Sequence, residues 1–150
     1  KEELIIKDKY RIHGYPVYYA NRESTYFIFL KKIDNLLRIK ESGLLDYIKD
    51  TCMPRVIVLY GSYSRGEDIY DSDIDFFVIS KEKILKLEPY EKNLNRNIHI
   101  FFSDNFGNHS KELKNNLLNG IMLSGYLRVF GDEQKFNKSH ARSGKGKVDS

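Results

Sequence analysis

Residues 55–80 read RVIVLYGSYSRGEDIYDSDIDFFVIS, and two apolar runs frame this stretch. Arg55 to Tyr60 is continuous and rich in Val, Ile and Leu, the pattern of a strand buried on both faces. It runs directly into Gly61-Ser62, where a short helix is expected to start. Ile74 to Ile79 is a second such run, preceded by Asp73 and interrupted only by Asp75. At the first junction, Gly61 lets an anion come close to the backbone, where a side chain would block it. Ser62 offers a hydroxyl and an amide at a helix N-terminus, a position that favours negative charge. Gly66 permits a sharp turn, and Ser72 can brace the loop ahead of the second strand.

Asp73 and Asp75 are one residue apart on the predicted strand, so their side chains share a face. Two carboxylates amid Ile, Phe and Val make a poor core. At close range each raises the other's pKa and destabilises the fold unless a cation sits between them. Mg²⁺ binds through one or two carboxylates together with substrate phosphates, which suits this pair. A two-ion site could clamp the attacking and leaving oxygens of a phosphoryl transfer.

Gly61-Ser62 followed by Asp73-Ile74-Asp75 resembles the signature of the DNA polymerase beta-like nucleotidyltransferases. Gly66 and the SDIDFFV continuation are similar to the minimal prokaryotic and archaeal branch. The resemblance is strongest over residues 55–80 and weaker from about 9 to 130. It implies that Gly61 and Ser62 cradle the triphosphate, that Asp73 and Asp75 are the metal ligands, and that a third carboxylate on a later strand activates the acceptor. The hairpin and following helix also resemble archaeal proteins that join a winged-helix module to this fold, with PVYYANRES as the remnant wing.

The third strand reads Asn97-Ile98-His99-Ile100-Phe101-Phe102, and the implied position of the third acid falls closest to His99. Histidine is a poor ligand for Mg²⁺, which prefers oxygen. Imidazoles titrate near neutrality, so His99 could act as a base, or it could fill a half-buried polar slot. Asp104 could replace the acid only if the strand bends. Glu67, Asp68 and Asp71 read as solvated loop residues. Arg65 could touch phosphate or stay in solvent. His13, His109 and His140 show no metal-ligand spacing.

Outward from this centre, residues 8–20 read as a hairpin turning at His13-Gly14, with Pro16 marking an edge strand. Residues 22–40 read as a long helix capped by Asn21 or Ser24. Its stripe of Tyr26, Phe29, Leu30, Ile33, Leu36 and Leu37 is expected to pack the core. A short helix holds Leu44, Leu45, Tyr47 and Ile48. Residues 81–95 are partly helical and broken near Pro89. A helix is expected from Ser103 or Asn105 to about Leu118, then an extended stretch from Ile121 to Phe130. The expected organisation is an N-terminal hairpin and helices packed on the core (1–50), a transferase core (51–130) and a flexible tail (131–150).

The fold class is α+β, a mixed twisted sheet of four to five strands backed by helices on one face. The chain of 150 residues carries 25 Lys and Arg against 21 Asp and Glu, for a net charge of +4. Residues 131–150 hold five basic and three acidic residues, so the remainder is nearly balanced and a dedicated nucleic-acid groove is not indicated. Nucleic acid as a partner stays open. A lone cysteine, Cys52, excludes an internal disulfide and a cysteine-built zinc site and suits a cytoplasmic setting. No apolar run has the length of a membrane span. The function these features imply is Mg²⁺-dependent transfer of a nucleoside monophosphate from a nucleoside triphosphate, ATP among them, to an acceptor hydroxyl. The alternative is a weak or inactive member of the fold acting as a regulatory or antitoxin-like partner of a helical protein.

Overall fold

The computed structural model describes residues 3–9 and 14–129. Strands β1 (Ile5–Lys9) and β2 (Pro16–Ala20) lead into helices α1 (Thr25–Glu41) and α2 (Leu44–Cys52). Strand β3 (Val56–Tyr60), helix α3 (Gly61–Arg65) and strand β4 (Ile74–Ile79) follow. Helix α4 (Glu88–Leu94), strand β5 (Ile98–Ser103), helix α5 (Lys111–Leu118) and strand β6 (Ile121–Ser124) complete the order. No helix among the described residues is long and apolar enough to cross a membrane.

The main sheet has the order β5-β4-β3-β6, with β3 antiparallel to both neighbours and β4 parallel to β5. It is an α+β arrangement with a mixed sheet, as the sequence implies. The two apolar runs are its central strands because neither has a polar face to give to solvent; Val56 to Leu59 and Phe76 to Ile79 are all buried. Strand alternation splits the core in two. Ile57, Leu59, Ile74, Phe76, Val78 and Ile98 pack against Ile39, Leu44, Leu45 and Ile48 of α1 and α2. Val56, Val58, Phe77 and Ile79 face the other way and meet Phe106 and Leu117. Helix α5 therefore lies on the second face, so the sheet is not backed by helices on one side alone.

Several local expectations shift for identifiable reasons. Ser24 is the α1 cap, its Oγ accepting from Phe27 N at 3.1 Å, while Asn21 is drawn off to Glu3 O at 2.9 Å. Pro89 sits in the first turn of α4, where its missing N–H costs nothing, so it starts a helix instead of breaking one. Helix α5 begins at Lys111 under a Ser110 cap, well after Ser103 and Asn105. Those two residues instead close a loop around His109: Ser103 Oγ lies 2.8 Å and Asn105 O 3.0 Å from His109 Nε2. The β1–β2 hairpin pairs Ile5 with Ala20 through Lys9 with Pro16. His13, expected at its turn, and the whole of 131–150 lie outside the described residues.

The largest departure concerns α1. Tyr26, Phe29, Leu30, Ile33 and Leu37 are all exposed, and of the expected stripe Leu36 alone packs on the core. The buried positions of α1 are Asn35 and Ile39, on the opposite side of the helix. That side is inward because of α3. A Cβ on Gly66 would lie 2.5 Å from Ile28 O and 2.9 Å from Lys32 N, so the turn ending α3 rests on the α1 backbone. Asn35 Nδ2 ties the contact by donating to Tyr63 O at 2.9 Å and to Asp68 Oδ1 at 2.8 Å.

Candidate active site

The antiparallel register of β3 and β4 places Tyr60 opposite Asp75, and the parallel register of β4 and β5 places Asp75 beside His99. Three strands thus deliver one row of polar side chains to one end of the sheet, on the face shared with Phe77 and Ile79. Asp73 lies one step before β4 on the same side. His99 Nδ1 is 3.5 Å from Asp75 Oδ1 and 3.7 Å from Asp73 Oδ2. The second oxygen of Asp73 accepts from Asn97 Nδ2 at 3.0 Å.

Gly61 follows Tyr60 directly and crosses over this row with φ of 78°. A Cβ there would lie 2.7 Å from Asp75 Oδ2. The chain turns at once into α3, with Ser64 Oγ donating to Gly61 O at 2.8 Å. Partial burial pushes the Asp75 carboxyl above its usual range; Asp73 adds to the rise, and His99 opposes it. Burial, with the Asp75 charge behind it, also raises the Tyr60 phenol. A half-buried carboxylate beside a second one is a place where positive charge is wanted.

Among the described residues, no group of three or more His, Cys, Asp and Glu side chains is arranged to hold a metal ion. The Asp73–Asp75 pair is instead an open two-carboxylate set, the kind Mg²⁺ uses when phosphate oxygens and waters supply its other positions.

The family model described as "Polymerase beta, Nucleotidyltransferase" matches residues 43–125. This is more than half of the 150-residue chain. The chain belongs to the polymerase beta nucleotidyltransferase family. The matched segment of the family domain includes α2 and everything from β3 to β6, with the Gly61 turn and both aspartates inside it. Comparisons with curated proteins and with solved structures give no match.

Other candidates in the nucleotidyltransferase domain fall in different places. Arg65 is exposed and its Nε donates to Glu67 Oε2 at 2.7 Å, so its charge is directed to that neighbour. Gly66 carries the packing on α1 described above. Asp104 is excluded as a substitute acid: the β4–β5 register runs unbroken from Ile74–Ile98 to Ile79–Ser103. Asp104 therefore lies beyond the far end of the strand, about 16 Å from His99 at ~3.3 Å per residue. His109 is held between Phe77 and Phe101 in edge-on contacts, and His140 lies outside the described residues.

Asp68 is not a solvated loop residue; its exposure is 1%. Lys31 Nζ pairs with its Oδ1, Arg96 Nη2 lies 3.6 Å from its Oδ2, and Arg22 donates to its carbonyl at 2.9 Å. This knot fastens the 66–72 loop, and with it Ser72-Asp73, to α1. Neither the knot nor Asn97 was legible beforehand, because their partners come from segments 24 to 46 residues away. Ser72 and Asn97, the neighbours of Asp73, help line a cleft of about 480 Å³ together with Tyr70, Asp71, Glu88, Glu91, Lys92 and Arg96.

Proposed function

We propose that this chain binds a nucleoside triphosphate with Mg²⁺ at the Gly61 turn and transfers its nucleoside monophosphate to an acceptor hydroxyl, releasing pyrophosphate. The observation that carries this reading is the close approach of Gly61 to Asp75: a bare backbone turn above a half-buried carboxylate pair. Gly61 leaves room for phosphate oxygens, and Ser62 presents its hydroxyl and amide to them. Asp73 and Asp75 would hold the cation, which when bound neutralises phosphate charge. Asn97 fixes one Asp73 oxygen and leaves the other facing Asp75 and His99. A second Mg²⁺ would have to lean on His99, whose nitrogen it accepts poorly; the donor set favours one well-held ion.

His99 occupies the row where family members are expected to carry a third acid. In this reading it accepts the proton of the acceptor hydroxyl, which enters from the cleft beside Asn97. Catalysis is then chiefly positioning and charge neutralisation. A cytoplasmic setting supplies both triphosphate and Mg²⁺.

A second reading rests on His99 as well. With an imidazole where a carboxylate is expected, the site supports nucleotide binding with slow or no transfer, and the chain serves as a regulatory partner of another protein. Incubation with each labelled triphosphate, Mg²⁺ and a host lysate separates the two. Label on a defined acceptor supports the transferase; tight triphosphate binding with no transfer supports the regulatory reading.

A further inference from the structure

We infer that Phe101 is the stacking platform for the nucleobase of the triphosphate, a subsite that rests on the reading of the site given above. Strand β5 pairs with β4 in parallel, which sets His99 beside Asp75 and Phe101 beside Phe77. Strand alternation therefore puts Phe101 on the same face as the Asp75–His99 row, one step further along. At ~3.3 Å per residue that step is ~6.6 Å, about the span that a ribose bridges between a phosphate and its base.

The ring is both exposed and held in place. Phe101 is 43% exposed, whereas Phe77 beside it is fully buried. The two rings stack with centroids 5.9 Å apart and planes inclined by 14°. His109 stands edge-on to both, 5.4 Å from Phe77 and 5.5 Å from Phe101. His109 is itself fixed by Ser103 Oγ and Asn105 O. Phe77 and His109 thus fill the inner side of Phe101. Strand β5 is an edge of the sheet, so the rest of the ring faces outward. A ring already fixed by its neighbours gives up little rotamer freedom when a base stacks on it.

Its placement sorts the two substrates. The cleft lined by Ser72 and Asn97 lies at the Asp73 end of the row, and Phe101 lies past His99 in the other direction along β5. With the phosphates at the Gly61 turn and the acceptor entering from the cleft, the Phe101 side is left for the nucleoside. Stacking reads the extent of a π-face and not its hydrogen-bonding edge. The subsite therefore favours a purine over a pyrimidine without choosing between adenine and guanine.

The test is calorimetry on the whole chain with Mg²⁺ and three ligands. These are a non-hydrolysable purine nucleoside triphosphate, its pyrimidine counterpart, and inorganic tripolyphosphate, which carries the phosphates without a base. Phe101→Ala should weaken the purine ligand on the order of tenfold, narrow its lead over the pyrimidine, and leave tripolyphosphate unchanged. Phe101→Trp should keep the purine affinity. The chain contains no tryptophan, so the emission of that variant reports on position 101 alone; the purine ligand should quench it and tripolyphosphate should not. With circular dichroism unchanged, equal losses for all three ligands in Phe101→Ala, or none, would overturn the platform and leave the transferase reading standing. If Phe101→Ala does not fold, the quenching decides: its absence at saturating purine ligand overturns the platform. A wild type that binds tripolyphosphate as tightly as either nucleoside triphosphate also overturns it, and one that binds none of the three overturns both readings.

Discussion

A Cβ built on Gly61 would come within 2.7 Å of Oδ2 of Asp75. The contact follows from register: Tyr60 and Asp75 are cross-strand partners, so the residue after Tyr60 must pass over the Asp75 side chain. Position 61 therefore has to be small twice over, for the space above the carboxylate and for its φ of 78°. The turn proposed to bind phosphate and the carboxylate proposed to bind the cation are thus built as one unit.

Gly61→Ala should disturb both halves of that unit. The left-handed backbone costs a non-glycine residue about 1–2 kcal/mol, and the added methyl must displace Asp75. Calorimetry with a non-hydrolysable triphosphate and Mg²⁺ should show binding lost, with a modest fall in melting temperature. Ser62→Ala should weaken binding by only about 0.5–1.5 kcal/mol, the worth of one hydrogen bond. Wild-type affinity in Gly61→Ala would rule out the cradle.

Asp75→Asn should abolish Mg²⁺-dependent nucleotide binding while leaving the apo protein as stable or more so. The Asp75 carboxyl is raised in the folded state, chiefly by burial. The folded chain then holds that proton more tightly than the unfolded chain, so stability falls as pH rises from the unfolded value through the folded one. Asn removes this loss. Melting curves from pH 3 to 8 should show wild type and Asp75→Asn diverging upward in pH, in favour of the variant.

His99→Ala should lower transfer while triphosphate affinity stays close to wild type, since His99 faces the aspartates rather than the Gly61 turn. His99→Asp sets a third carboxylate beside Asp75 in the next strand and should raise Mg²⁺ affinity. Single-turnover transfer and Mg²⁺ titration measure the two effects separately. Unchanged Mg²⁺ affinity in His99→Asp would remove position 99 from the metal site.

Asp68→Ala should destabilise by about 3–5 kcal/mol, because it strands Lys31 and Arg96 around a vacated buried charge. Lys31→Met should cost less, with Arg96 and Asn35 still on the carboxylate. Denaturant melts of the two variants give the order; a surface-like change below about 0.5 kcal/mol for Asp68→Ala would mean the knot is not structural.

The motif region was legible because its signals are local. A strand buried on both faces shows as an unbroken apolar run, a tight left-handed turn as Gly-Ser at its end, and a shared face as two aspartates one residue apart. His99 was singled out by the family resemblance, and the β4–β5 pairing sets it beside Asp75. Periodicity likewise placed α1 to within a few residues, and left its cap between Asn21 and Ser24, of which the structure uses Ser24.

Which face of α1 turns inward was a different matter. The apolar stripe alone argues for burying Phe29, Ile33 and Leu37. The fold instead buries Asn35 and lays Lys31 along Asp68, because Gly66 brings α3 onto the α1 backbone and Asp68 must have its charge met. Those partners stand more than 25 residues apart, and no window of sequence holds both. Asn97 on Asp73, 24 residues apart, and the exclusion of Asp104 are likewise fixed by the parallel pairing of β4 with β5. By itself the sequence determined the strands, the turn and the carboxylate pair, all set by neighbours along the chain. Tertiary structure alone decided which helix face was left to solvent and what surrounds each carboxylate, because pairing across the sheet and meeting a buried charge are properties of distant segments brought together.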